Sequence, residues 1–116
     1  GTPPGRVAWF DPPDWAPTFL REDLFNPHSL QVADFTGNGR PDIYVGEMGL
    51  GQHDNPRQFI FLNRGGGEFE EQVVGSGIPT HEAKAVDLTG DGLPDIVGKP
   101  YHPERDVDVW YNETTR

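Results

Sequence analysis

The chain has 116 residues, with 19 acidic and 9 basic side chains, a net charge of −10 and no cysteine. That balance excludes the cationic face that nucleic-acid binding needs and would be repelled by an anionic membrane surface. The missing cysteines exclude disulfides, thiolate zinc sites and cysteine nucleophiles, and no apolar run approaches the ~20 residues of a membrane-spanning helix, so no membrane insertion is expected.

Fifteen glycines and twelve prolines punctuate the chain too often for long helices and favour short strands joined by turns. Residues 7–10 predict a strand, 11–14 a turn and 18–21 a second strand. Residues 16–25 are the best helix candidate, but Pro17 and the extended pattern favour a strand there. Residues 29–35 and 42–46 predict two strands on either side of a glycine-rich turn. Residues 49–57 read as a solvated excursion. Residues 58–63 predict a third strand and 68–74 a fourth, joined by the Gly65-Gly66-Gly67 turn. Residues 83–88, 95–98 and 107–112 then repeat the first three strands.

This recurrence is explicit in the residues. Positions 32–43 read VADFTGNGRPDI and positions 85–96 read AVDLTGDGLPDI, 53 residues later. Four short antiparallel strands per ~50 residues are the signature of a β-propeller blade. The expected fold is all-β, with four-stranded antiparallel blades and a little over two of them in the chain. Residues 1–27 would be outer strands of a preceding blade, 28–80 a complete blade and 81–116 a partial one. A closed propeller needs ~4–8 blades. The expected partners are therefore other blades, from a longer chain or from further copies that complete one another's sheets by strand donation.

The two turns carry the chemistry. Asp34, Thr36, Asn38 and Asp42 stand at loop positions 1, 3, 5 and 9, and Asp87, Thr89, Asp91 and Asp95 repeat them. Alternate residues of a tight loop converge their oxygens, and the intervening glycines permit the positive φ that such curvature requires. The carbonyls of Arg40 and Leu93 at position 7 would add to an all-oxygen shell. Hard oxygen donors without His or Cys favour calcium over zinc, so two Ca2+ sites are expected. The loops are not EF-hands, because position 12 is Val45 or Gly98 where that motif needs Glu. The Asp87 loop has three carboxylates against two in the Asp34 loop and should bind more tightly.

The frame D-x-T-G-(N/D)-G-x-P-D-I at this period resembles the FG-GAP/VCBS repeats. The resemblance implies blades of six- to eight-bladed propellers in extracellular or cell-surface proteins, with structural calcium held through positions 1, 3, 5 and 9. Thr36 and Thr89 depart from it, since the family usually carries Asp or Asn at position 3.

Outside the loops, His28 and His81 precede Asp34 and Asp87 by six residues each, and Glu47 and Lys99 follow the second strands. These four, with Glu82, Tyr101 and His102 nearby, could line one pocket for a glycan or for acid–base chemistry; capping of strand ends is the simpler reading. His53 and Asp54 fall in the solvated excursion. Trp9 and Trp110 fall in apolar runs and should pack between blades, whereas Trp15 is a candidate for ligand contact. Asn112-Glu113-Thr114 is an N-x-T glycan acceptor. The expected function is binding of a protein or glycan, or self-assembly. The alternative is a piece of a polysaccharide-degrading lyase or hydrolase, with His28, Glu47, His81 and Lys99 as its catalytic candidates.

Overall fold

The structure is a computed structural model that describes residues 5–48, 55–76, 80, 82–99 and 107–114. Nine strands form among these residues: β1 (Gly5–Asp11), β2 (Ala16–Leu24), β3 (Pro27–Ala33), β4 (Asp42–Glu47), β5 (Arg57–Gly65), β6 (Glu68–Ser76), β7 (Glu82–Val86), β8 (Asp95–Lys99) and β9 (Asp108–Trp110). They make three antiparallel sheets in chain order: β1-β2, β3-β4-β5-β6 and β7-β8-β9. The helix candidate at 16–25 is strand β2. Its register places Phe10 opposite Pro17 and Ala8 opposite Phe19, a pairing that a helix could not offer.

Several expected boundaries shift, and the local bonds explain those that border the loops. β3 and β7 end at Ala33 and Val86, two residues early, because the Phe35 and Leu88 N–H groups turn away to carboxylates of the following loop. β9 stops at Trp110 because Asn112 is turned into the loop beside it. The excursion expected at 49–57 ends sooner: Arg57 opens β5 and is half-buried. Between β5 and β6, Gly66 and Gly67 have φ of 64° and 81°, the two positive values that a tight hairpin matching strand twist demands.

The sheets pack face to face, and the alternation of side chains along each strand assigns the faces. Ile43, Val45, Phe59 and Phe61 of the second sheet form one core with Val7 and Leu24 of the first, with Trp9 and Leu20 packed against it. The Trp9 ring lies 5.7 Å from that of Phe69. The opposite face supplies Tyr44, which joins Phe35 and the third sheet's Ala83 and Ile96 in a second core with Trp110 against it. Trp9 and Trp110 thus pack between successive sheets. Strands β3 and β7 also touch: Ala83 N–H donates to Ser29 Oγ at 2.8 Å and Ala85 N–H to Gln31 Oε1 at 3.2 Å. Leu30 and Val32, on the face that the first sheet covers elsewhere, are exposed.

Candidate functional site

Both glycine-rich turns lie between the first two strands of their sheet, and their hydrogen bonds are nearly superimposable in sequence. The Asp34 carboxylate sits inside its own loop. Its Oδ1 accepts the N–H of Gly37 at 2.8 Å, with longer bonds from Thr36 and Asn38, and its Oδ2 accepts Gly39 N–H at 2.7 Å. Asp87 does the same with Gly90 and Gly92, both at 2.8 Å. Gly37, Gly39, Gly90 and Gly92 all have φ between 79° and 87°, where a side chain would be strained. At position 5, Asn38 Oδ1 accepts Arg40 N–H and Asp91 Oδ1 accepts Leu93 N–H.

These bonds set the charge on the two position-1 carboxylates. For Asp34, partial burial pushes the pKa up, but the N–H groups of Gly39, Gly37, Thr36 and Asn38 outweigh it and hold the carboxyl below its usual range. For Asp87 the Gly92 N–H is the largest influence and the net direction is again downward. Both are anions at neutral pH, aimed by the backbone at the loop interior.

Position 9 does different work. Asp42 is fully buried, and its Oδ2 accepts Phe35 N–H at 2.9 Å while Oδ1 accepts Asn63 N–H at 2.8 Å. Asp95 repeats this with Leu88 at 2.9 Å and Asn112 at 2.7 Å. Each carboxylate therefore ties the start of its loop to the end of the third strand. The Asn side chains complete the tie: Asn63 Nδ2 donates to Pro41 O at 3.1 Å, and Asn112 Nδ2 to Pro94 O at 3.0 Å. Their carboxamide oxygens accept Gly65 and Thr114 N–H. Asn63 and Asn112 are the residues that sequence reasoning undervalued. Both close their repeats, which is the signal that could have found them, and Asn112 also opens the N-x-T sequence. Its Nδ2, the atom a glycan would occupy, also donates to Phe35 O at 2.5 Å.

In the first loop the side-chain oxygens of positions 1 and 3 approach each other. Thr36 Oγ1 lies 3.5 Å from Asp34 Oδ1, and carboxylate oxygens retain lone pairs beyond the N–H bonds they accept. Asp42 and Asp95 lie behind the loops, within the sheet ends. Among the described residues no three His, Asp or Glu side chains converge as a metal cluster, so hydroxyl, amide and carbonyl oxygens would have to share the coordination.

Of the second candidate group, His28, Glu47, Glu82 and Lys99 lie among the described residues. Glu47 is fully buried and held on both oxygens. Arg57 Nε donates to Oε1 and Arg57 Nη2 to Oε2, each at 2.8 Å, while Phe25 N–H reaches Oε2 at 2.7 Å and Arg57 N–H reaches Oε1 at 2.8 Å. Burial pushes its pKa up, but the guanidinium and the two N–H groups outweigh that and hold it below the ordinary value. Arg57 also lies over the rings of Phe59 and Phe25 and donates to Asp23 O. Glu47 thus clasps the β2–β3 connection to β5 and has no open side for a substrate. His28 and Lys99 are exposed strand residues, and so is Glu82; His81, Tyr101, His102, His53 and Asp54 lie outside the described residues. Next to the clasp, Thr80 N–H donates to Glu47 O at 3.0 Å. Burial raises the nearby Tyr44 hydroxyl to about 12, with Thr80 beside it opposing that rise; the geometry closes no hydrogen bond to the hydroxyl. Trp15 is exposed in the β1–β2 turn at φ 57°. A cleft of about 440 Å³ runs between the second and third sheets, where β9 has no further strand beside it among the described residues. Its walls include Val74, Trp110 and Tyr111.

No protein-family model matches the chain, and no solved structure matches its fold.

Proposed function

We propose that the chain is a calcium-binding β-propeller module of the FG-GAP/VCBS kind from an extracellular or cell-surface protein. It acts by binding a protein or glycan or by assembling with other blades, and its calcium is structural. The observation that carries this reading is the twin loop: Asp34 and Asp87, 53 residues apart, hold their loops by equivalent bonds, and Asp42 and Asp95 lock those loops to equivalent strands. Face-to-face stacking of a two-, a four- and a three-stranded sheet supports blades set side by side. The enzymatic alternative, a polysaccharide lyase or hydrolase, loses support at Glu47, whose two oxygens are consumed by four hydrogen bonds inside the protein.

In each loop the position-1 carboxylate, the position-3 hydroxyl and the position-5 oxygen would hold the ion with the position-7 carbonyl, while the position-9 carboxylate, tied to the sheet, would hold the loop in place behind them. The ion would offset repulsion among carboxylates and couple its binding to folding. Calorimetric titration with CaCl2, with chelator as control, tests this. Two binding events are expected, with Asp34→Asn and Asp87→Asn each removing one and the Asp87 loop the tighter. Calcium at 100 times Kd should stabilise the fold by about 2.7 kcal/mol. Absence of both heat and a shift in Tm would reduce the loops to hairpins capped by their own side chains.

A further inference from the structure

We infer that Asn38 is a modification site: in the folded chain its carboxamide is attacked by the Gly39 nitrogen and hydrolysed, which gives the first loop the side chains of the second. The chemistry depends on the loop geometry alone; its effect on calcium rests on the reading above.

Among positions 1, 3, 5 and 9 the two loops differ at one side chain, Asn38 against Asp91. Asn38 is followed by Gly39, which has no side chain to shield its nitrogen. Both residues are exposed, and a Cβ at Gly39 would meet nothing within 4 Å, so water reaches the pair. Asn38 Oδ1 accepts Arg40 N–H at 2.9 Å. That places a donor on the oxygen that gains charge when its carbon is attacked. Gly39 N–H donates to Asp34 Oδ2 at 2.7 Å, which puts an acceptor beside the proton that the nitrogen must lose. The departing group also distinguishes this site. Asn63 Nδ2 is anchored on Pro41 O, and Asn112 Nδ2 on Phe35 O and Pro94 O. Asn38 Nδ2 has no such anchor among the described residues. Asn63 and Asn112 are followed by Arg64 and Glu113, whose side chains crowd the attacking nitrogen.

The reaction balances with water alone. The bond from Gly39 N to Asn38 Cγ forms and the Cγ–Nδ2 bond breaks. The Gly39 nitrogen loses its proton and the departing nitrogen gains one, so ammonia leaves and a cyclic imide remains. Water then opens the imide. Opening at the side-chain carbonyl gives aspartate, and opening at the backbone carbonyl gives its β-linked isomer. The second loop shows that aspartate fits: Asp91 Oδ1 accepts Leu93 N–H at 3.0 Å, and Gly92 N–H donates to Asp87 Oδ2 at 2.8 Å, the same bonds that surround Asn38. With aspartate at position 38 the first loop carries the ligand charge of the second, and its calcium site should tighten to match.

Peptide mapping by mass spectrometry tests this on the intact chain, incubated at neutral pH without added calcium and verified as folded by circular dichroism. The same chain unfolded in urea is the reference. The folded chain should lose the Asn38 carboxamide over the period in which the unfolded chain loses it, and should keep those of Asn63 and Asn112. Asn38 retained through that period, or lost no sooner than Asn63 and Asn112, would overturn the inference. Calorimetry with CaCl2 on Asn38→Asp reads the consequence: the weaker of the two binding events should strengthen to match the other, and a weaker event left unchanged would overturn the matching of the loops. Conversion of Asn38 in a chain that gives no calcium heat overturns the loop reading alone. Two calcium events in a chain that keeps Asn38 overturn the modification alone.

Discussion

The second and third sheets carry the same loop on different cores. Their loops share the position-1 carboxylate, its glycine partners, the position-9 tie and the closing Asn. Behind the loops the residues diverge. Val45 and Phe61 of the second sheet have as equivalents Gly98 and Trp110 in the third. A Cβ at Gly98 would lie 2.9 Å from the Trp110 ring and 3.3 Å from Thr80, so the larger indole takes the volume that the valine fills in the other repeat. At the far end of the second strand, the buried Glu47 of one sheet contrasts with the exposed Lys99 of the other. Equivalent loops on unequal cores show that backbone geometry and polar ties specify the turn, while core volume needs to be conserved only in total.

The sharpest break in that comparison is the clasp. Glu47→Ala removes the acceptor of two N–H groups and leaves the half-buried Arg57 guanidinium with only its contacts to Asp23 and the Phe25 and Phe59 rings, so a loss of about 3 kcal/mol is expected in urea unfolding. Lys99→Ala, at the other sheet's exposed end, should stay within about 0.5 kcal/mol. The pH dependence has a definite sign. The Glu47 pKa is depressed in the fold, so the clasp contributes fully above the ordinary carboxylate value near 4.5. Its contribution falls as pH drops below that value and through the folded pKa. Midpoints measured from pH 7 to pH 3 should show this loss in the wild type and a shallower one in Glu47→Gln.

Next in size are the position-9 ties. Asp42→Ala and Asp95→Ala each orphan two backbone N–H groups, and each should cost about 2–3 kcal/mol. Similar losses would confirm that the two loops are energetically equivalent, whereas a loss confined to one would show that the tie matters in only one repeat. Smaller again is Gly98→Val, which copies the second sheet's residue into the third. Overpacking against Trp110 should cost about 1–3 kcal/mol, and Gly98→Val with Trp110→Phe should recover part of it, measured by Tm.

Much of this was legible in the residues. The strand order, the three sheets' strand counts and the two loops follow from a repeated motif and from glycines that curvature requires, both of which are local. Arg57 was not legible, because it follows a polar stretch and its partner Glu47 is ten residues away across a strand pairing. The burial of Asp42 and Asp95 was not legible either. An aspartate at position 9 reads as a ligand from spacing alone, and only the neighbouring strand reveals the Asn63 or Asn112 N–H that it accepts.

Local spacing in the chain determined the all-β class, the turns and the anionic loops, because φ preferences and side-chain reach act over a few residues. Tertiary structure decided which carboxylates face the loop interior and which face the sheet. It also decided that Glu47 is a structural anion and which apolar faces remain uncovered, because burial and partner identity depend on strands brought together from distant parts of the chain.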